Sequence, residues 1–285
     1  MTLVADEISD RAEIEDETTQ ADTPVRAPAS RHRHRLVASA ATIIVLLALW
    51  TAASALGLVS ALFLPSPIAV AKAFWNVATT GFVDATLLQH LVASLGRVFV
   101  ALFASIIVAV PIGFAIGLSP IGRGIFDPII EFLRPLPPLA YLPLVIIWFG
   151  IGEASKIIVI ALAMLAPIVI STAAGVAGTS RDRINAARSL GASRLQVLGH
   201  VVLPSAIGDI LTGIRIALGA GWTTLVAAEL VAASRGVGFM IQSAAQFLVT
   251  DVVLLGIVVI AAVAFALEAV IRILQRIFVP WLGKT

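Results

Sequence analysis

Five charged side chains lie within or at the edge of long apolar runs: Arg97, Glu131, Arg134, Arg215 and Glu229. A charge at membrane depth is expensive, so such residues pair with one another or line a path for solutes. Pairing of Arg97 with Glu229, or of Glu131 with Arg215, would be structural. A basic side chain facing a pathway, with Arg97 as first candidate, would suit an anionic solute. Glu268 and Arg272 are four residues apart, the spacing of an ion pair on one helix face. Residues that would make or break bonds are not assembled. No HExxH, GxxxxGK[ST] or GxSxG pattern occurs, and cysteine is absent. No catalytic residue, metal site or resident cofactor is therefore expected, and the chain has no nucleotide-binding loop of its own. His32 and His34 sit in RHRHR and read as part of a basic run.

The elements that hold these charges follow from composition. The chain is 59% hydrophobic and 13% charged, with a mean hydropathy of +1.03. Soluble domains carry about 25% charged residues. No alternation of apolar and polar residues marks barrel strands, which leaves helices as the way to satisfy the backbone in lipid. The fold class is an all-α membrane protein. Runs of about 20 apolar residues predict six transmembrane helices, near 36–59, 90–118, 125–150, 155–178, 205–231 and 252–273. Pro135, Pro137, Pro138 and Pro143 break the third. A broken backbone at that depth is tolerated where it is buried in protein or lines water, and both a packed kink and a pathway-facing one fit. Gly117, Gly150, Gly152, Gly219 and Gly221 are expected to let helices approach closely.

Eight of the 17 acidic residues fall before residue 23. With few large apolar side chains there, residues 1–35 read as a disordered tail, acidic and then basic. Ala53-Ser54-Ala55 resembles a signal-peptide cleavage site. The preceding segment is long for that role, and the apolar run is of full span length, so an uncleaved anchor is expected. With the N-terminus inside, twelve Lys and Arg flank the spans on the inner side, against Lys72, Lys156 and Arg235 outside. That bias predicts two cytoplasmic termini. Within the outer connection, residues 68–77 read as an amphipathic helix along the membrane surface.

The same bias puts residues 180–204 in the cytoplasm. Ser180 suits an N-cap with Asp182 in the first turn, opening a helix to Leu190. Gly191 suits the left-handed position after it. Ser193 and Gln196 form a capping box for a second short helix, with Leu195, Leu198 and Val202 on one face. Pro204 is expected to end that helix and start the next span. Ala186 and Ala187 give the first helix a small-residue surface, ringed by Arg181, Arg183, Arg188 and Arg194.

The order Asn185-Ala186-Ala187, three residues, then Gly191, nine residues, then Val201-x-Leu203-Pro204 resembles the EAA motif of ABC importer permeases. Asn185 stands where that motif has Glu, and Val201 where it has Ile. RPLPPLAYLPLVIIWFGIGEASKI (residues 134–157), LVAAELVAASRGVGFMIQSA (residues 225–244) and the ending LEAVIRILQRIFVPW look like the nitrate, sulfonate, taurine and bicarbonate branch of that family. The similarity covers residues 36–282. It implies a type I, MetI-like permease domain over residues 36–285. The expected function is a membrane path for a small, anionic solute in the plasma membrane of a prokaryote. It implies two copies of a cytoplasmic ABC ATPase that binds ATP and Mg, an external solute-binding protein, and pairing with a second permease copy. No nucleic-acid partner is implied. The resemblance makes Asn185, Ala186, Ala187, Arg188, Gly191, Leu203 and Pro204 the ATPase-coupling residues. A secondary transporter or channel is the alternative, but it would leave the cytoplasmic module without a purpose.

Overall fold

A computed structural model describes residues 30–279; the predicted acidic tail and the extreme C-terminus lie outside them. The chain divides into two units, residues 1–56 and 57–285. The first unit contains helix α1, Ser30–Ala55, of which Val37–Ala55 is apolar and of span length.

Among the described residues, the second unit is built of helices and connecting loops, with one isolated bridge between Phe82 and Ala85. Helix α2, Pro67–Thr79, is opened by Ser66, whose hydroxyl accepts from the Ala69 amide. Long helices α3 (Leu87–Leu118), α6 (Glu153–Ala177) and α9 (Leu203–Ala232) make the core. Between them lie α4 (Pro120–Leu133), a 3₁₀ turn at Pro138–Ala140 and α5 (Leu142–Phe149). The module expected within residues 180–204 is α7 (Arg181–Ser189) and α8 (Arg194–Val197); α10 (Val237–Gln246) and α11 (Thr250–Phe278) complete the described chain.

Helix α6 is the centre, packed along both α3 and α9. Small residues set those seams. A Cβ on Gly117 would stand 2.6 Å from a Val176 side-chain atom, and one on Gly213 would stand 2.6 Å from the Ser171 Cβ. Two helices can approach this closely only where no side chain intervenes. Val98, Ile160, Met164, Ile168 and Leu225 fill the interior. Of the glycines expected at helix contacts, Gly117 and Gly221 have close neighbours. Gly150, Gly152 and Gly219 face open space, and Gly150 instead ends α5 at φ 81°.

Among the described residues, five helical stretches are long and apolar enough to cross a membrane: 37–55, 87–118, 153–177, 194–231 and 250–278. The expected third span is two pieces of 14 and 8 residues on either side of the proline-rich break, each short of the roughly 20 needed. The prolines remove backbone donors and disfavour the helical conformation in the residues before them. Helix α2 appears where an amphipathic segment was expected. Its buried side, Val70, Ala73 and Val77, packs mainly on α11, while Ile68 and Trp75 point outward.

Candidate functional site

The first polar assembly sits where the start of α6, the N-terminal part of α3, the end of α9 and the start of α10 meet. The Arg97 guanidinium is 5% exposed. Its Nη1 donates to Glu229 Oε1 at 2.5 Å and to the Arg235 carbonyl at 2.8 Å. Its Nε and Nη2 donate to the two oxygens of Glu153 at 2.6 and 2.9 Å. Lys156 Nζ reaches the same Glu153 at 2.6 Å. Two cations face two carboxylates; Arg97, Lys156 and Glu229 are buried, so each has an opposite charge beside it, while Glu153 keeps an exposed edge.

Glu229 is held from further directions. Ser94 Oγ donates to it at 2.8 Å and the Gly238 amide at 2.8 Å. The first amides of a helix have no partner within it, and here side chains supply them. The Gly236 amide donates to His90 Nδ1, the Val237 amide to Ser94 Oγ, and the Gly238 amide to Glu229. His90 Nε2 lies 3.0 Å from the Phe82 carbonyl, which fixes the proton on Nε2 because Nδ1 accepts. Gly236 is required twice over. Its φ is 132°, and a Cβ there would collide with the Glu229 carboxylate.

Arg97 and Glu229 are therefore brought together, as one of the two expected pairings has it. The other pairing does not form. Arg215 instead meets Glu268 at 2.8 Å, and Glu268 also takes Arg272 at 3.1 Å, the i,i+4 pair expected. Arg215 on α9 reaches across to α11 rather than to Glu131, which is exposed and has no ion pair among the described residues. Glu153 and Lys156 were missed at this site. Their i,i+3 spacing at the start of an apolar run was the available signal, masked by reading Lys156 as a loop charge; it is 2% exposed.

A second feature lies at the proline-rich break. A cavity of about 360 Å³ opens between the break, α6 and α9. Arg134 and Tyr141 line it from the break, Ser171 from α6 and Ile216 from α9. Arg134 has no carboxylate within ion-pair distance among the described residues.

The third is the module of α7 and α8. Ser180 precedes α7 but makes no side-chain cap. Gly191 has φ 84°, and the Ser193–Gln196 capping box is closed, with Ser193 N on Gln196 Oε1 at 2.8 Å. Two expectations are corrected. Pro204 does not end a helix: α8 runs through a π-helical turn, Leu198–Val202, straight into α9. The wider turn absorbs the missing proline amide without breaking the rod. Leu195 does not share the inward face, being 81% exposed; Val197 and Val202 are the buried residues. On α7, Ile184 and Ala187 pack against the cluster of Val176, Val197, Val202 and Ala206. Asn185, Ala186, Arg188 and Leu190 stay exposed, Leu190 at 90%. Gly191, Leu203 and Pro204 are exposed as well.

Residues 109–284 match the family model described as "Binding-protein-dependent transport system inner membrane component". The chain is 57% identical to the taurine transport system permease protein TauC of Escherichia coli (strain K12), over 91% of this chain and 94% of that one. It is 38% identical to the putative aliphatic sulfonates transport permease protein SsuC of the same organism, over 83% and 88%. It is 34% identical to the nitrate import permease protein NrtB of Leptolyngbya laminosa, over 75% and 78%. Among solved structures, a chain of the MetNI methionine ABC transporter in inward-facing conformations superposes with a TM-score of 0.53 at 20% identity, covering 65% of this chain and 94% of that one. At that identity the likeness concerns the fold alone.

Proposed function

Since the chain belongs to the inner-membrane components of binding-protein-dependent ABC importers and is a multi-pass permease subunit rather than an ATPase, we propose that it forms the path for taurine or a closely related alkanesulfonate. The observation that carries the substrate class is the 57% identity to a taurine permease over nearly the whole of both chains. Sulfonate and nitrate permeases at 38% and 34% share the chemistry of a small oxyanion.

In this reading α4, the break and α5 together make a discontinuous crossing, which gives six spans and two cytoplasmic termini. The Lys and Arg bias supports that topology. Two copies of the chain pair, and each docks one copy of a cytoplasmic ATPase through α7. The exposed Asn185, Ala186, Arg188 and Leu190 form the seat. Ala187 fixes α7 against the base of α9, and Gly191 shapes the joint. The π turn and Leu203-Pro204 make one rod of α8 and α9, so a displacement of α7 by the ATPase is passed along α9 into the membrane. Asn185 donates and accepts hydrogen bonds where the motif's Glu would carry a charge.

ATP-driven uptake of radiolabelled taurine by the permease reconstituted with its ATPase and its binding protein tests the assignment. Uptake that needs all three components supports it. Uptake driven by an ion gradient without the ATPase supports a secondary transporter.

A further inference from the structure

We propose that the cavity at the proline-rich break is a transient binding site for the sulfonate group of the solute, with Arg134 as its cation and Tyr141 and Ser171 as hydroxyl donors. The proposal rests on the oxyanion reading above and adds to it a place and a set of residues.

Charge comes first. Arg97, Lys156, Arg215 and Arg272 each have a carboxylate within 3.1 Å. Arg134 has none among the described residues, although it stands between two apolar helices of a membrane protein. A bare guanidinium facing lipid is expensive, so this one faces water or an anion. The backbone points the same way. Residues 134–141 are non-helical or 3₁₀; in the six-span reading they lie within the membrane, where irregular backbone persists if it lines a wet cavity or is buried in protein. The cavity supplies that setting.

Chemistry comes next. A guanidinium offers parallel N–H donors that match two oxygens of a planar or tetrahedral oxyanion. The hydroxyls of Tyr141 and Ser171 have no hydrogen-bond partner among the described residues, so both are free to donate. The rest of the wall, including Leu162, Ile216 and Ala220, is apolar and suits a short alkyl chain. At about 360 Å³ the cavity is of the size that holds small ligands. Arg97, by contrast, spends four of its N–H groups on the Glu229, Glu153 and Arg235 contacts. An arginine committed in this way has little left for a passing solute.

The absence of cysteine gives a direct test. In the intact reconstituted transporter, Ala163→Cys places one thiol on the cavity wall. The probes are two methanethiosulfonate reagents of equal size, one ending in a sulfonate and one in a quaternary ammonium. Arg134→Gln in this background is expected to lower the ratio of anionic to cationic labelling rates about tenfold, and Arg134→Lys to restore much of it. An unchanged ratio overturns the proposal. In the chain without the cysteine, Arg134→Gln is expected to cut taurine uptake about tenfold or more while ATPase stimulation by the loaded binding protein persists. That persistence shows a folded, docked permease. Unimpaired uptake in Arg134→Gln overturns the site while leaving the oxyanion function standing. If the unsubstituted transporter moves neither taurine, alkanesulfonate nor nitrate, the function itself falls, and the site with it.

Discussion

Glu229 is the residue on which most of the polar end of the bundle converges: a guanidinium, a hydroxyl and a helix-terminal amide all donate to it. Removing one partner of a buried pair leaves the other unpaired and costs about 3–5 kcal/mol. Arg97→Met is therefore expected to lower the melting temperature of the purified permease sharply, and Arg97→Met with Glu229→Gln to recover part of the loss. Equal instability of the single and double variants would deny that the pair is coupled. Gly236→Ala is expected to destabilise as well, because the new methyl must push the carboxylate off the α10 amides; a thermal melt against the parent reads this. Sequence made one of these contacts legible. Arg97 and Glu229 stood out as charges in apolar runs, whereas Ser94 and His90 are ordinary residues of a helix until α10 folds back over them. Which partner a charge takes is set by helix rotation, and spacing along one chain does not contain it; Arg215 chose Glu268 over Glu131 for that reason.

At the scale of elements, the module separates two alanines that looked equivalent. Ala186 is exposed and Ala187 packs inward on Val197 and Val202. Ala186→Trp is expected to abolish ATPase co-purification and transport while the permease still inserts and melts normally. Ala187→Trp is expected to lower the melting temperature too, since overpacking costs about 1–3 kcal/mol. Normal ATPase docking with Ala186→Trp would remove α7 from the coupling role. The capping box and Gly191 could be read directly from residue types, because caps and left-handed positions are local physics. The continuity of α8 into α9 could not. Proline signals a break, and only the π turn around it shows the rod to be unbroken. The break in the third span could be read from its prolines, whereas the lengths of its two pieces, 14 and 8 residues, could not.

For the whole molecule, the account needs the broken segment to cross the membrane. An impermeant maleimide on intact cells is expected to label Thr80→Cys and to leave Leu190→Cys unlabelled until the membrane is opened. Labelling of both from one side would mean an even number of crossings between them, and the six-span topology would fall. The molecule as proposed is a path without an engine: a central α6 clamped by α3 and α9, a neutral charge cluster at one end, a docking module at the other, and a cationic cavity between. The most direct measurement is ATP-dependent taurine accumulation in proteoliposomes holding this permease, its ATPase and its binding protein. The account predicts accumulation that stops when any one of the three is omitted. Accumulation without the ATPase, or none with all three present and folded, would contradict it.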